Sequence, residues 1–478
     1  MGKGKTVRSN IRLVCCSRKK GYPGWPHIDF DHEGMMERYL AKLQAALPNC
    51  DFTVDYANNA AEAKELFKTN DQFDGVAVFN SSHGVGVANE FLALKQPGVI
   101  IDELYAGSGD FVRLNTRINK EKLPIAVMAS SDFQDVINAI RLLHIRKQLQ
   151  NTKIVLFKNF EPLAQDKVGF LQEALGTGST WKRYLAGRAG LQDKFDKLKE
   201  TFGVEVVLKS KQDMQDYYAA VPEEEAKQVA ARWIHDAEGI IEPSGKDILD
   251  SAKLYLGLKK CLDEEEAEAL SVDCIMMFYT TELSVYPCMS HVQMNDDGLT
   301  GTCESDLDSC LTQIIIRYMT GQASFVSDPV IDTATNQIIY AHCSAATKWF
   351  GEDSMPSPYF LRSHSEDHNS TSIQTIMPVG HTVTTAKIDI LSNALAIHTA
   401  KAVGNVNEEK GCRTKLAAEV PDVQMLLDNW DADIFSWHKV TFYGDHRKEF
   451  LDLARMYKMY VVQEDKDIPR YRWDRIGE

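Results

Sequence analysis

The chain has 478 residues, 44% of them hydrophobic and 25% charged, with a formal net charge of −15 at pH 7. That length exceeds a single core and implies two to four domains of roughly 100–200 residues each. No apolar run approaches the ~18 residues of a membrane span, and the surplus of acids disfavours a nucleic-acid partner, whose phosphates call for Lys and Arg.

The opening MGKGKTVRSNIRLVCCSRKK lacks the apolar core of a signal peptide, so a cytoplasmic location is expected. The ten cysteines are scattered without a CxxC pair, which predicts reduced thiols rather than a disulfide framework or a zinc ribbon.

Residues 1–150 alternate strand and helix patterns. The strands are IRLVCC (11–16), DFTVDYA (51–57), GVAVFN (75–80) and LPIAVMAS (123–130), with helices at 35–47, 60–69 and 132–149, the last capped by Asp132. Such alternation implies parallel βαβ units that bind ligands at the strands' carboxyl ends, here 21–25, 81–86 and 130–132. A second α/β series, 151–321, runs through KIVLFKN (153–159), GVEVVLK (203–209), a helical stretch over 222–269 and a buried-strand run VDCIMMFY (272–279).

Within that series GTCESDLDSC (301–310) leads into Leu307, Cys310, Leu311, Ile314, Ile315 and Tyr318, a helical stripe stopped by Gly321. Counting back three from Leu307 puts Glu304 on the buried stripe, with Asp306 pointing elsewhere and 287–301 as a preceding loop. The alternative is a helix-start acid favoured by the dipole.

From 322 to 478 the pattern turns to alternating segments such as HTVTTAKIDI and ALAIHTAKAV, which predicts an antiparallel sheet or barrel closed by a last helix at 447–459. SFVSDPVIDTATNQIIYAHCSA (324–345) reads as a hairpin with its turn at 333–336, setting Asp328 opposite Ala341 or His342. An acid and an imidazole so placed after Glu304 form a candidate ligand group for a divalent ion such as Mn²⁺. A turn-starting Asp before Pro329 and a satisfied core His342 are the alternatives. His438, among the aromatics of FSWHKVTFYGDHR, is expected to be buried whether it is ligand or structural residue.

Length, segment order, residues 287–343 and the WHKVTFYGD segment together resemble the L-fucose isomerase / L-arabinose isomerase family. The resemblance implies two Rossmann-like α/β domains followed by a barrel-like β domain. It implies a Mn²⁺-dependent aldose–ketose isomerase working through an enediolate on a free sugar such as L-fucose, D-arabinose or L-arabinose. Glu304 and Asp328, 24 residues apart, would be metal ligands and the acid/base pair, with His438 completing the ligand set and His342 added as in the arabinose branch. Homo-trimers or homo-hexamers with sites at subunit contacts are implied as well. Arg18, Trp25 and His83 stand on strand-end loops as candidates for substrate contact, ordinary loop residues being the alternative. A metal-dependent sugar aldolase or dehydratase and a non-catalytic sugar-binding protein are the competing functions.

Overall fold

The computed structural model describes residues 7–158, 189–279 and 283–467. Its contacts divide the chain into two compact units, Thr6–Asn151 with His446–Val461, and Thr152–Asp445 with the chain from Val462.

The first unit is a five-stranded parallel sheet of β1 (Ser9–Cys16), β2 (Cys50–Ala57), β3 (Gly75–Asn80), β4 (Gly98–Asp102) and β5 (Ile125–Met128) in the order β2-β1-β3-β4-β5. Continuous apolar runs such as Leu13–Cys16 and 76–79 are what a sheet covered on both faces requires. Helix Phe133–Leu149 begins where the sequence predicts, Asp132 accepting from the Gln134 N–H at 2.9 Å. The strand order reverses between β1 and β3, which opens a crevice at their carboxyl ends. Helix Arg447–Met456 packs on β5 and on helix Phe133–Leu149 of this unit, not on the β-rich region that the sequence assigns it to. Phe450, Leu453, Ala454 and Met456 are the apolar residues it buries.

The second unit begins with β6 (Lys153–Phe157) and β7 (Glu205–Lys209), then β8 (Gly239–Ile240), β9 (Ala269–Val272) and β10 (Thr300–Thr302). Residue 159 of the expected KIVLFKN strand lies outside the described residues. A parallel sheet runs β10-β9-β6-β7. The 222–269 stretch is two helices, Glu223–Asp236 and Gly245–Glu264, split at β8. Two expectations are corrected here. VDCIMMFY is strand only to Val272 and then helix Cys274–Tyr279. Asp273 still donates its N–H to Phe157 O at 2.9 Å, accepts from the Met277 N–H at 3.2 Å as the helix opens, and pairs through its side chain with buried Lys158 at 2.7 Å. The segment read as a loop over 287–301 contains helix Cys288–Asp296.

Next come β11 (Phe325–Asp332), β12 (Gln337–His342), β13 (Tyr359–Arg362), β14 (Ser372–Thr375), β15 (Thr382–Asp389), β16 (Ala394–Asn405), β17 (Thr414–Glu419), β18 (Lys439–Tyr443) and β19 (Tyr460–Gln463). The antiparallel order β15-β18-β11-β12-β17-β16 returns to β15 through a direct β15–β16 pairing, so six strands close a barrel. The fold is therefore the α/β architecture with a barrel-like antiparallel region that the sequence predicts. Phe325, Ile338, Tyr340, Trp349 and Leu416 fill one core of the barrel region. Helix Leu307–Thr320 touches β9 and β10 as well as β15 and β18, and it is buried nearly all round rather than along one stripe. Gly321 ends it at φ +71°, a conformation that favours glycine.

Candidate functional site

Four ligand-type side chains meet in the second unit, three of them from barrel strands or their ends. The hairpin has the register expected from its turn: Asp328 pairs with Ala341 across β11 and β12. On the other side of β11, Ser327 pairs with Lys439, so His438 stands one step beyond, beside Asp328. His342 is the last residue of β12. Glu304 arrives from β10, just ahead of helix Leu307–Thr320.

The four groups face one another. His438 Nε2 lies 3.5 Å from a Glu304 oxygen and 3.4 Å from an Asp328 oxygen. His342 Nε2 lies 3.6 Å from the second Glu304 oxygen and 4.0 Å from the second Asp328 oxygen. Both Nε2 atoms are buried without a hydrogen-bond partner. Donors around one octahedral ion at about 2.1 Å sit about 3 Å apart. The ligand atoms of Glu304, His342 and His438 lie within 4.8 Å of one another, a wider set than a loaded site, and Asp328 turns a different oxygen to each ring. Two carboxylates and two imidazoles suit a divalent ion of the Mn²⁺ type rather than a thiolate-bound one.

The sequence misplaces one acid. The helix starts at Leu307, and Glu304 and Ser305 take left-handed backbone angles, φ +64° and +52°. Extrapolating the helical stripe back to Glu304 therefore has no geometric basis, although the carboxylate does turn inward. Ser305 pins this turn, its N–H donating to Val272 O at 3.0 Å and its hydroxyl to Asp273 at 3.3 Å. Asp306 does not point away. It caps the helix at Ser309 N and accepts from His438 Nδ1 at 2.9 Å and from Lys387 Nζ at 2.5 Å. The cap was findable from an Asp followed three residues later by Ser. Lys387, fully buried on β15, was hidden in an otherwise alternating strand.

Asp306 fixes the tautomer of His438: Nδ1 donates and the Nε2 lone pair is left to face Glu304 and Asp328, as outer carboxylates do for metal-binding histidines. Burial pushes the Glu304 carboxyl up, but the charges of His438 and His342 outweigh it and hold the group below the ordinary glutamate range. Burial likewise pushes Asp306 up, and Lys387 and His438 hold it well below. His438 is lowered by burial and raised further by Glu304 and Asp306. The cluster thus favours positive charge between its carboxylates, whether protons on the rings or a cation in their place. Trp437, 44% exposed, meets the His438 ring edge-on and offers an apolar wall that sequence reasoning did not single out.

Arg18, Trp25 and His83 belong to the first unit. Arg18 Nη2 donates to His83 O at 2.8 Å, bridging the loops after β1 and β3 at the crevice. Trp25 donates to Tyr105 O and remains 54% exposed, and His83 Nδ1 is 3.5 Å from Asp110. His364, at the end of β13, lies 3.6 Å from Asp367 and edge-on to Tyr286.

No family model matches the chain. Proteins named sulfoquinovose isomerase are similar to part of it. Those of Priestia aryabhattai and Priestia megaterium are 27% identical over 161 residues, covering 31% of this chain and 34% of the relative. That of Clostridium sp. (strain MSTE9) is 27% identical over 150 residues, covering 31% and 33%. The similarity is to sugar isomerases. It spans about a third of the length of the curated relatives it matches, and it does not single out the L-fucose and L-arabinose branch. No described helix is long and apolar enough to cross a membrane.

Proposed function

We propose that the protein is a divalent-metal-dependent aldose–ketose isomerase acting on a free sugar, with Glu304, Asp328, His342 and His438 holding the ion. The observation that carries this reading is the unpartnered, buried Nε2 of both histidines facing both carboxylates at 3.4–4.0 Å. Similarity to sulfoquinovose isomerases supports the sugar and the reaction type.

Isomerisation moves one proton between adjacent carbons and another between their oxygens. A bound Mn²⁺ would supply Lewis-acid stabilisation to the two sugar oxygens. The chain supplies proton transfer. Glu304, kept ionised by the two imidazoles, is available as a base at neutral pH, and Asp328 faces it across the same pair of rings. One carboxylate takes the carbon proton and returns it to the adjacent carbon, while the other passes the second proton from one oxygen to its neighbour. The Asp306–His438 hydrogen bond occupies Nδ1 and so turns Nε2 toward the two carboxylates. The Trp437 face offers a place for the apolar side of a pyranose or furanose ring. Asp328, with 44% of its side chain exposed, marks the open side, where a neighbouring subunit of a trimer or hexamer would close the site. Arg18, Trp25 and His83 are the first unit's candidates for a sugar contact, placed at its strand-order crevice.

The test is a panel of aldoses, sulfonated hexoses and deoxyhexoses included, assayed for ketose with Mn²⁺ and after chelation. Turnover of at least one sugar is expected, lost with EDTA, restored by Mn²⁺ and reduced more than a thousandfold in Glu304→Gln at unchanged circular dichroism. Normal turnover by Glu304→Gln, or full activity in protein shown metal-free by elemental analysis, would refute it.

A further inference from the structure

Five of the ten cysteines, distant in sequence, converge beside His342. Cys288 and Cys343 place their sulfurs 3.5 Å apart. Cys343 also contacts Cys303 and Cys412, and Cys303 contacts Cys274. All ten cysteines are free thiols. The histidine ring divides two chemistries. Its Nε2 faces the carboxylates, while its Nδ1 lies 3.5 Å from Cys343 Sγ and 3.3 Å from Ser344 Oγ. Ligand atoms of Cys303, His342 and Cys343 all fall within 4.8 Å of one another. On the far side of Cys303, His291 Nδ1 approaches its sulfur at 3.1 Å, and the ring's Nε2 is buried without a partner.

We infer that Cys303, Cys343 and His342 Nδ1, completed by Cys288 or Cys412, form a second metal site, for a thiophilic divalent ion of the zinc class. In a tetrahedral site with Zn–S bonds of about 2.3 Å the sulfurs stand about 3.8 Å apart, close to the 3.5 Å found for Cys288 and Cys343. Thiolates select such an ion, whereas the oxygen-rich face of the same imidazole suits Mn²⁺. Cys274 and Cys412 are only partly buried and give the cluster a route to solvent. Each ligating thiol gives up its proton to solvent, so loading releases protons. A ring that gives Nδ1 to the sulfur site keeps its proton on Nε2, which withdraws His342 from the carboxylate site; occupation of the two sites is therefore opposed. The spacing of these cysteines, 274, 288, 303, 343 and 412, shows no zinc-ribbon pattern, which is why the sequence argues against a thiolate site.

The test uses the full chain, reduced with a non-thiol phosphine, freed of metal and titrated with Co²⁺. A near-ultraviolet thiolate-to-cobalt charge-transfer band is expected, saturating near one equivalent, lost in Cys343→Ser and retained in Glu304→Gln. Absence of the band in the unaltered chain, its full retention in Cys343→Ser, or its loss in Glu304→Gln would overturn the site. Should Cys343→Ser fail to fold, zinc X-ray absorption of the unaltered chain decides. A sulfur shell at about 2.3 Å supports the site, and a shell of nitrogen and oxygen alone at about 2.0–2.1 Å refutes it. Neither readout depends on isomerase turnover, so failure here leaves the proposed function standing, and the reverse holds too.

Discussion

His438 uses its two nitrogens differently: one is tied to Asp306 at 2.9 Å, the other is left bare toward Glu304 and Asp328. Asp306 is therefore a positioning residue, and it also offsets the buried Lys387. Asp306→Asn keeps a good helix cap, so the fold should survive, while the Mn²⁺ dissociation constant should rise 10–100-fold. Lys387 would then be unpaired, at a cost of about 3–5 kcal/mol. The double variant with Lys387→Met should recover most of that stability without recovering metal affinity. Calorimetric titration with Mn²⁺ and urea unfolding read the two effects apart, and unchanged metal affinity in both variants would remove Asp306 from the site. At this scale Glu304, Asp328 and His342 could be read as candidate ligands from helix-start and hairpin positions, whereas His438 read only as a buried histidine in a strand-like run and took its candidate role from the family resemblance. Asp306 was not legible, because a left-handed turn at 304–305 breaks the helical phase from which its direction was extrapolated.

At the scale of elements, the site depends on how β10 and helix Cys288–Asp296 bring Glu304 to the barrel strands. Asn295 clamps the strand, donating to Gly301 O and accepting from Gly301 N, both at 3.1 Å. A Cβ on Gly301 would meet His291 Cα at 2.6 Å and His291 O at 2.9 Å, backbone atoms that cannot rotate away. Gly301→Ala should cost about 1–3 kcal/mol as an overpacked contact, seen as a lower urea midpoint, and it should weaken Mn²⁺ binding through displaced Glu304. An unchanged midpoint would show that β10 and the helix separate freely. The hairpin register was legible because side-chain alternation and a short turn fix it. The helix over 288–296 was not, since CMSHVQMND carries polar residues such as Ser290, His291 and Asn295 that are buried in the structure, which erases the amphipathic signal.

For the molecule as a whole, strand and helix alternation and then strand alternation announced two kinds of architecture, and the closed barrel follows from the second. The destination of helix Arg447–Met456 did not follow, because an amphipathic helix records which face is apolar and not which sheet it covers. The barrel carries a polar centre that also left no sequence signal: Tyr340 and His398 are 2.8 Å apart, His398 is 2.8 Å from Glu464, and Lys439 donates to Glu464 at 2.5 Å. Glu464 follows β19, so this group ties the end of the described chain to β16 and β18. Burial pushes the Glu464 carboxyl up, but Lys439 and His398 together hold it below the ordinary glutamate range. A carboxyl depressed in the folded state contributes stability above its unfolded value of about 4.3 and loses it as the pH falls through the lower folded value. Removing the charge in Glu464→Gln leaves Lys439 buried and unpaired, a loss of about 3–5 kcal/mol at pH 7. The stability gap between the parent chain and Glu464→Gln should therefore stay constant from pH 7 to about 5 and narrow below about 4.3. Urea midpoints across that range measure it. A gap that is already closing near neutrality, or that persists undiminished in acid, would mean that Glu464 does not hold its charge inside the barrel.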